Sequence, residues 1–132
     1  METSVVRVLV VDDFEPFRRF VSSTLGKRQA LQIVGEASDG LEAVRRAEAL
    51  KPDLILLDIG LPTLNGMEAA RQIRKLAPES KIIFLSQESC ADVVQEALNL
   101  GAWGYVAKAT AGRDLLAAVE AVLLGQHFVS GT

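Results

Sequence analysis

The chain has 132 residues, 49% hydrophobic and 23% charged, enough for one domain with a substantial core and too apolar for a disordered segment. Its formal charge of -3 offers no basic face for gripping a phosphate backbone, so direct nucleic-acid contact by these residues is not expected. The one cysteine, Cys90, cannot form an internal disulfide, no apolar stretch approaches the ~18 residues of a membrane span, and the first apolar run leads into acids instead of a cleavage site. A cytoplasmic location is expected, with no membrane partner.

Short Val-, Ile- and Leu-rich runs alternate along the chain with longer segments whose apolar residues recur at helical spacing. A first strand is expected over residues 7–11, closed by Asp12-Asp13. The helix after it, Glu15–Leu25, carries Pro16 in its first turn, where a missing N–H costs little, and Gly26 at its end. A second strand over 32–37 leads through Asp39-Gly40 into a helix over 41–50. Asp-Gly is also a hairpin signal, but the residues that follow have helical character. Pro52 then separates this helix from a third strand over 54–57, ending at Asp58, with a helix over 65–76 beyond it. Pro78 precedes a fourth strand over 81–85 that ends at Ser86; a helix over 91–100 stops at Gly101. The fifth strand, Gly104–Ala107, ends at Lys108, and a helix over 113–124 follows.

Five βα units with right-handed crossovers predict a parallel sheet buried on both faces, in the order 2-1-3-4-5. That order sets the ends of strands one and three side by side, where ligands of such sheets bind. Asp12, Asp13 and Asp58 meet there, and a bound cation would relieve their mutual repulsion. Taken singly, each Asp is as readily a turn former or helix cap, Ser86 a helix-capping hydroxyl and Lys108 a solvated amine. Taken together, acids, a hydroxyl and an amine at successive strand ends suit phosphate chemistry.

The acid pair Asp12-Asp13, the segment Asp58-Ile-Gly-Leu-Pro-Thr-Leu-Asn-Gly66, Ser86 and Tyr105-Val-Ala-Lys108 together resemble the receiver domain of bacterial two-component response regulators. The likeness covers nearly the whole chain and implies a flavodoxin-like (CheY-like) fold of five parallel strands flanked by five helices. It also implies that Asp58 accepts a phosphoryl group from a sensor histidine kinase. Mg²⁺ would be bound by Asp13 and Asp58 directly, by Asp12 through a water, and by the Gly60 carbonyl. Lys108 would pair with the phosphoryl oxygens, Ser86 would hydrogen-bond one of them, and Tyr105 would be the switch aromatic that turns inward with Ser86. Oxygen-only ligands favour Mg²⁺ over zinc. Such a domain is not an enzyme in the usual sense, although it promotes its own phosphotransfer and dephosphorylation. Gly60 offers no cover over the acceptor, whereas Glu88 stands where an acid would orient an attacking water or repel the phosphoryl oxygens, and is as readily a solvated residue at the start of the fourth helix. His127 is given no catalytic role.

The last helix has one charge, Glu120, beyond its first turn, so an apolar face is left for a partner protomer on phosphorylation or for an output domain. Residues 125–130 resemble the passage into a linker in the NarL/FixJ subfamily, whose output is a LuxR-type helix-turn-helix. On that reading residues 1–125 are the receiver and 126–132 begin a linker or tail. DNA would be reached through an output domain absent from this chain, in the service of transcription regulation. A stand-alone single-domain regulator and a phosphorylation-independent interaction module are the alternatives. A haloacid-dehalogenase-type phosphatase would need Asp-x-Asp after strand one, and a nucleotide-binding module a glycine-rich loop; Asp12-Asp13-Phe14-Glu15-Pro16 is neither.

Overall fold

A computed structural model describes residues 5–87 and 90–131. Strands β1 (Val6–Val11), β2 (Leu31–Ala37), β3 (Leu54–Asp58), β4 (Lys81–Ser86) and β5 (Gly104–Ala107) alternate with helices α1 (Glu15–Leu25), α2 (Gly40–Leu50), α3 (Gly66–Leu76), α4 (Ala91–Asn99) and α5 (Ala111–Leu123). A sixth strand, β6 (Phe128–Val129), corrects the expected count of five and extends the order to 2-1-3-4-5-6, every pair parallel. It lies among the residues read from sequence as the start of a tail.

Side chains alternate between the two faces of the sheet, and each face has its own core. Leu9, Val11, Ile55, Leu57, Ile82, Phe84 and Tyr105 pack against Ala43, Ala47, Ala69, Ala70, Ile73 and Ala97 of α2, α3 and α4. The opposite face sets Val8, Val10, Leu54, Leu56, Ile83, Leu85 and Val106 against Val21 and Leu25 of α1 and Leu115, Ala118, Val119 and Val122 of α5. Alanines on α2 and α3 let those helices approach closely. Just beyond α5, Leu124 is 77% exposed.

The loop after β3 is held by the start of α2. Gly40 N–H donates to the Pro62 carbonyl at 3.1 Å, and the Thr63 hydroxyl donates to Asp39 at 3.1 Å while accepting from Leu41 N–H at 3.2 Å. Thr63 takes a left-handed φ of 64°, a conformation this clamp sustains. A β-carbon at Gly40 would lie 1.8 Å from the Leu64 carbonyl oxygen, so only glycine permits the approach. Asp39 caps α2 through Glu42 N–H, which settles Asp39-Gly40 as a helix start and holds the Asp39 carboxyl below its usual range.

A second knot fixes the chain's exit. Asp114, 7% exposed, accepts from Thr110 Oγ1 at 2.7 Å, Ser130 Oγ at 2.8 Å and Arg113 Nε at 3.0 Å. Ser130 Oγ accepts in turn from Ala107 N–H at 3.0 Å, and Ser130 N–H donates to the Tyr105 carbonyl at 2.9 Å. Hydrogen bonding from Arg113 first, then Thr110, pulls the Asp114 carboxyl down to about 2. A depressed carboxylate stabilises the fold above its unfolded value of 3.8, and that contribution is lost as pH falls towards about 2. Asp114→Ala is therefore expected to cost about 1–3 kcal/mol in urea unfolding near neutral pH, since it strands two hydroxyls and the Ala107 amide network. The difference from the parent should shrink as the titration is carried into acid.

Candidate functional site

Parallel pairing sets the strand ends in line. Val11 is opposite Leu57, Asp58 opposite Leu85, and Ser86 opposite Ala107, so Asp12, Asp58, Ser86 and Lys108 emerge together at the carboxyl edge. They border a cleft of about 400 Å³ lined by Asp13, Phe14, Asp58, Gly60, Ser86 and Lys108 among others. Asp12, Asp13 and Asp58 each offer a carboxylate oxygen within 4.8 Å of the others. Of the residues singled out from sequence, Asp12, Asp13, Asp58, Gly60, Ser86 and Lys108 stand at this edge, and Tyr105 is buried at 1% exposure in the core beside it. Glu88 lies outside the described residues. His127 stacks on Trp103 at 4.6 Å, at the start of β5 and so at the other end of the sheet.

The acids differ in setting. Asp12 is fully buried and accepts from Phe14 N–H at 2.9 Å through Oδ1. Its Oδ2 lies 2.7 Å from Lys108 Nζ, an ion-pair distance, yet the approach lacks hydrogen-bond direction and this buried oxygen accepts no hydrogen bond. Asp13 is exposed at the mouth of the cleft. Asp58, 5% exposed, accepts from Gly60 N–H at 3.1 Å and has Lys108 Nζ at 3.4 Å. Burial, and then the Asp12 charge, push the Asp58 carboxyl up to about 6 against the opposing pull of Lys108. The Asp12 oxygen, ion-paired with Lys108 but accepting no hydrogen bond, and the all-oxygen donor set fit a hard divalent cation with water in its shell.

Gly66 opens α3 directly against the acceptor loop. Its N–H donates to the Ile59 carbonyl at 2.7 Å, and a β-carbon there would stand 2.2 Å from the Asp58 carbonyl oxygen. Asn65 caps the same helix through Glu68 N–H at 3.0 Å, a contact worth about 1 kcal/mol. A β-carbon at Gly60, by contrast, would meet nothing within 4 Å, so the acceptor is open on that side.

Phe17 and Phe14 belong to the site and were not singled out from sequence. The Phe17 ring centroid is 4.7 Å from Lys108 Nζ, giving the ammonium a π face in addition to its carboxylates. Phe14 borders the cleft at 61% exposure. Aromatics within four residues of an acid pair are the available signal, but α1 places its aromatics on the sheet and on solvent with the same periodicity.

The fold is flavodoxin-like, of the CheY type, and its acids at the switch point make it a receiver-type signalling domain. Residues 8–120 match the response regulator receiver domain, and the chain belongs to that family. It is 37% identical over 121 residues to the response regulator protein VraR of Staphylococcus aureus, covering 92% of this chain and 58% of VraR. The chain thus spans a little over half the length of that relative. Among solved structures, a LuxR-family two-component response regulator from Aurantimonas sp. SI85-9A1 superposes with a TM-score of 0.91 at 31% identity, over 97% of this chain and 91% of that one. The signal receiver domain of the putative response regulator NarL from Mycobacterium tuberculosis gives 0.87 at 31% identity, over 93% and 99%. The response regulator domain of Thermotoga maritima CheB gives 0.81 at 36% identity, over 88% and 94%. Among the described residues no helix is long and apolar enough to cross a membrane.

Proposed function

We propose that Asp58 accepts a phosphoryl group from the phosphohistidine of a sensor histidine kinase in the cytoplasm. The observation that carries this reading is one nearly buried carboxylate, Asp58, crowded by two acids and faced by the Lys108 amine at 3.4 Å, on an open cleft. An Asp58 carboxylate oxygen bonds to phosphorus as the phosphorus–nitrogen bond breaks, leaving an acyl phosphate here and a neutral imidazole on the donor. Transfer through a loose transition state needs positioning and charge neutralisation more than covalent help. Lys108 supplies a cation to the equatorial oxygens, Ser86 a hydroxyl, and the Gly60 N–H holds the carboxylate in aim. Mg²⁺ on Asp13, Asp58 and the Gly60 carbonyl, with Asp12 reaching it through water, would neutralise both the acids and the incoming oxygens. The same open cleft admits the water that hydrolyses the acyl phosphate.

New charge at Asp58 draws on Ser86 at the end of β4 and on Lys108 just after β5, the strand that holds Tyr105 and hydrogen-bonds Ser130 of the Asp114 knot, so β5, α4 and α5 form the face that changes. The output is DNA-binding transcription regulation through a C-terminal domain beyond this receiver, with phosphorylation favouring a homodimer. The VraR and LuxR-family relatives support that extension. Acetyl phosphate with Mg²⁺ should add a single phosphoryl group to the parent, seen by intact mass, and none to Asp58→Ala. An equal adduct in Asp58→Ala, or one formed in chelator, sinks the reading. Beryllofluoride that binds neither protein would point instead to a phosphorylation-independent interaction module.

A further inference from the structure

Arg18, on α1, makes two contacts with different partners. Nη1 donates to the Asp12 main-chain carbonyl at 2.7 Å, and Nε donates to Glu36 Oε1 of β2 at 2.8 Å. Its side chain is 18% exposed, whereas the other arginines in ion pairs among the described residues range from 47% to 77%. An arginine this covered, spending its shorter contact on a carbonyl, is more than a surface ion pair.

The Asp12 main chain is thereby held at both ends. Its N–H donates to the Ala37 carbonyl of β2 at 3.1 Å, and its C=O is taken by Arg18 after leaving the strand ladder. That carbonyl shares a rigid plane with the N–H of Asp13. Fixing the one fixes where the Asp13 Cα stands, and so the point from which its carboxylate reaches the cleft. Only a planar fork reaches the carbonyl and Glu36 together, so lysine can replace one contact but not both.

We infer that Arg18 is a positioning residue for the acid cluster, holding the Asp12–Asp13 peptide so that the carboxylates converge with Asp58 on a divalent cation. This rests on the reading that the cluster takes Mg²⁺. The sign of the effect separates positioning from charge. Deleting a cation beside three acids should, by electrostatics alone, tighten Mg²⁺ binding. Loss of a positioning contact should weaken it.

Calorimetric titration of the folded chain with Mg²⁺ decides, using the parent, Arg18→Met, Arg18→Lys, Arg19→Ala and Asp13→Asn, each first checked by thermal melt. Arg18→Met keeps the packing of the stem and should raise the Mg²⁺ Kd about tenfold, with Arg18→Lys recovering part of the loss. Arg19→Ala, which removes an equal charge from an exposed neighbour, should leave Kd within about twofold of the parent. A folded Arg18→Met that binds as tightly as the parent, or tighter, overturns the positioning role while leaving the cation site intact. A parent that binds no better than Asp13→Asn overturns the cation site and this inference with it. Should Arg18→Met fail to fold, Arg18→Lys carries the test: it must bind more weakly than the parent, and parity refutes the role.

Discussion

Lys108→Ala is expected to lose phosphoryl transfer while keeping, or slightly gaining, affinity for Mg²⁺. The amine lies 2.7 Å from Asp12 Oδ2 and 3.4 Å from Asp58 Oδ2, so it competes with any cation for the same carboxylates. Removing it takes a repelling charge from the metal's surroundings and should leave Kd unchanged or lower by a few fold. The transferred phosphoryl group, in contrast, gains negative density on its equatorial oxygens with one fixed donor gone. A single preorganised donor is worth about 10²–10³ in rate, and acyl phosphate formation should fall by that factor. Asp13→Ala supplies the contrast, because it should lose metal binding and transfer together. Stability is measured alongside, since the variant leaves the buried Asp12 without its cation. Stopped-flow phosphorylation against a calorimetric Mg²⁺ titration reads both quantities, and a Mg²⁺ affinity reduced as far as in Asp13→Ala would contradict the division of labour.

The parts of this site legible in the sequence are those that sit at strand ends. Leu54, Ile55, Leu56 and Leu57 are wholly buried, and such an apolar run announces its own end when Asp58 interrupts it. Parallel register then carries the ends of β1, β3, β4 and β5 to one edge, so chain order alone brings Asp12, Asp58, Ser86 and Lys108 together. What could not be read depends on how helices lie on the sheet. Phe17 and Arg18 are adjacent members of an amphipathic helix, and the roll of α1 decides that one meets the Lys108 amine and the other the Asp12 carbonyl. The strand β6 is only Phe128–Val129, too short for periodicity, and is secured by Ser130 on Asp114 instead of by pattern. Lys108–Thr110 forms a 3₁₀ turn and α5 starts at Ala111, two residues before the expected start, because Gly112 interrupts the apolar spacing without interrupting the helix.

Asp58→Asn should make the cation-free protein more stable near neutral pH. Burial and the Asp12 charge raise the Asp58 carboxyl from 3.8 to about 6, so between those values the folded state holds a proton that the unfolded chain releases, and at neutral pH the folded state carries an unfavourable charge. For a raised carboxyl the sign runs against the usual one: its contribution is complete below 3.8 and is lost as pH climbs through about 6. Above that window the ionised Asp58 costs the fold on the order of 2–3 kcal/mol, at about 1.4 kcal/mol for each unit of pKa. Asparagine keeps an oxygen for the Gly60 N–H and carries no charge, so it escapes this cost. In chelator at about pH 7.5 the variant should melt roughly 5–10 °C above the parent, and the gap should close as pH is lowered towards about 4. Mg²⁺ should narrow the gap from the other side, because it binds the parent's acids and stabilises that fold by about 1.4 kcal/mol at ten times its Kd. A variant that melts at or below the parent in chelator at neutral pH would mean that Lys108 already compensates Asp58 in full. The acid cluster would then hold no strain for a cation to relieve.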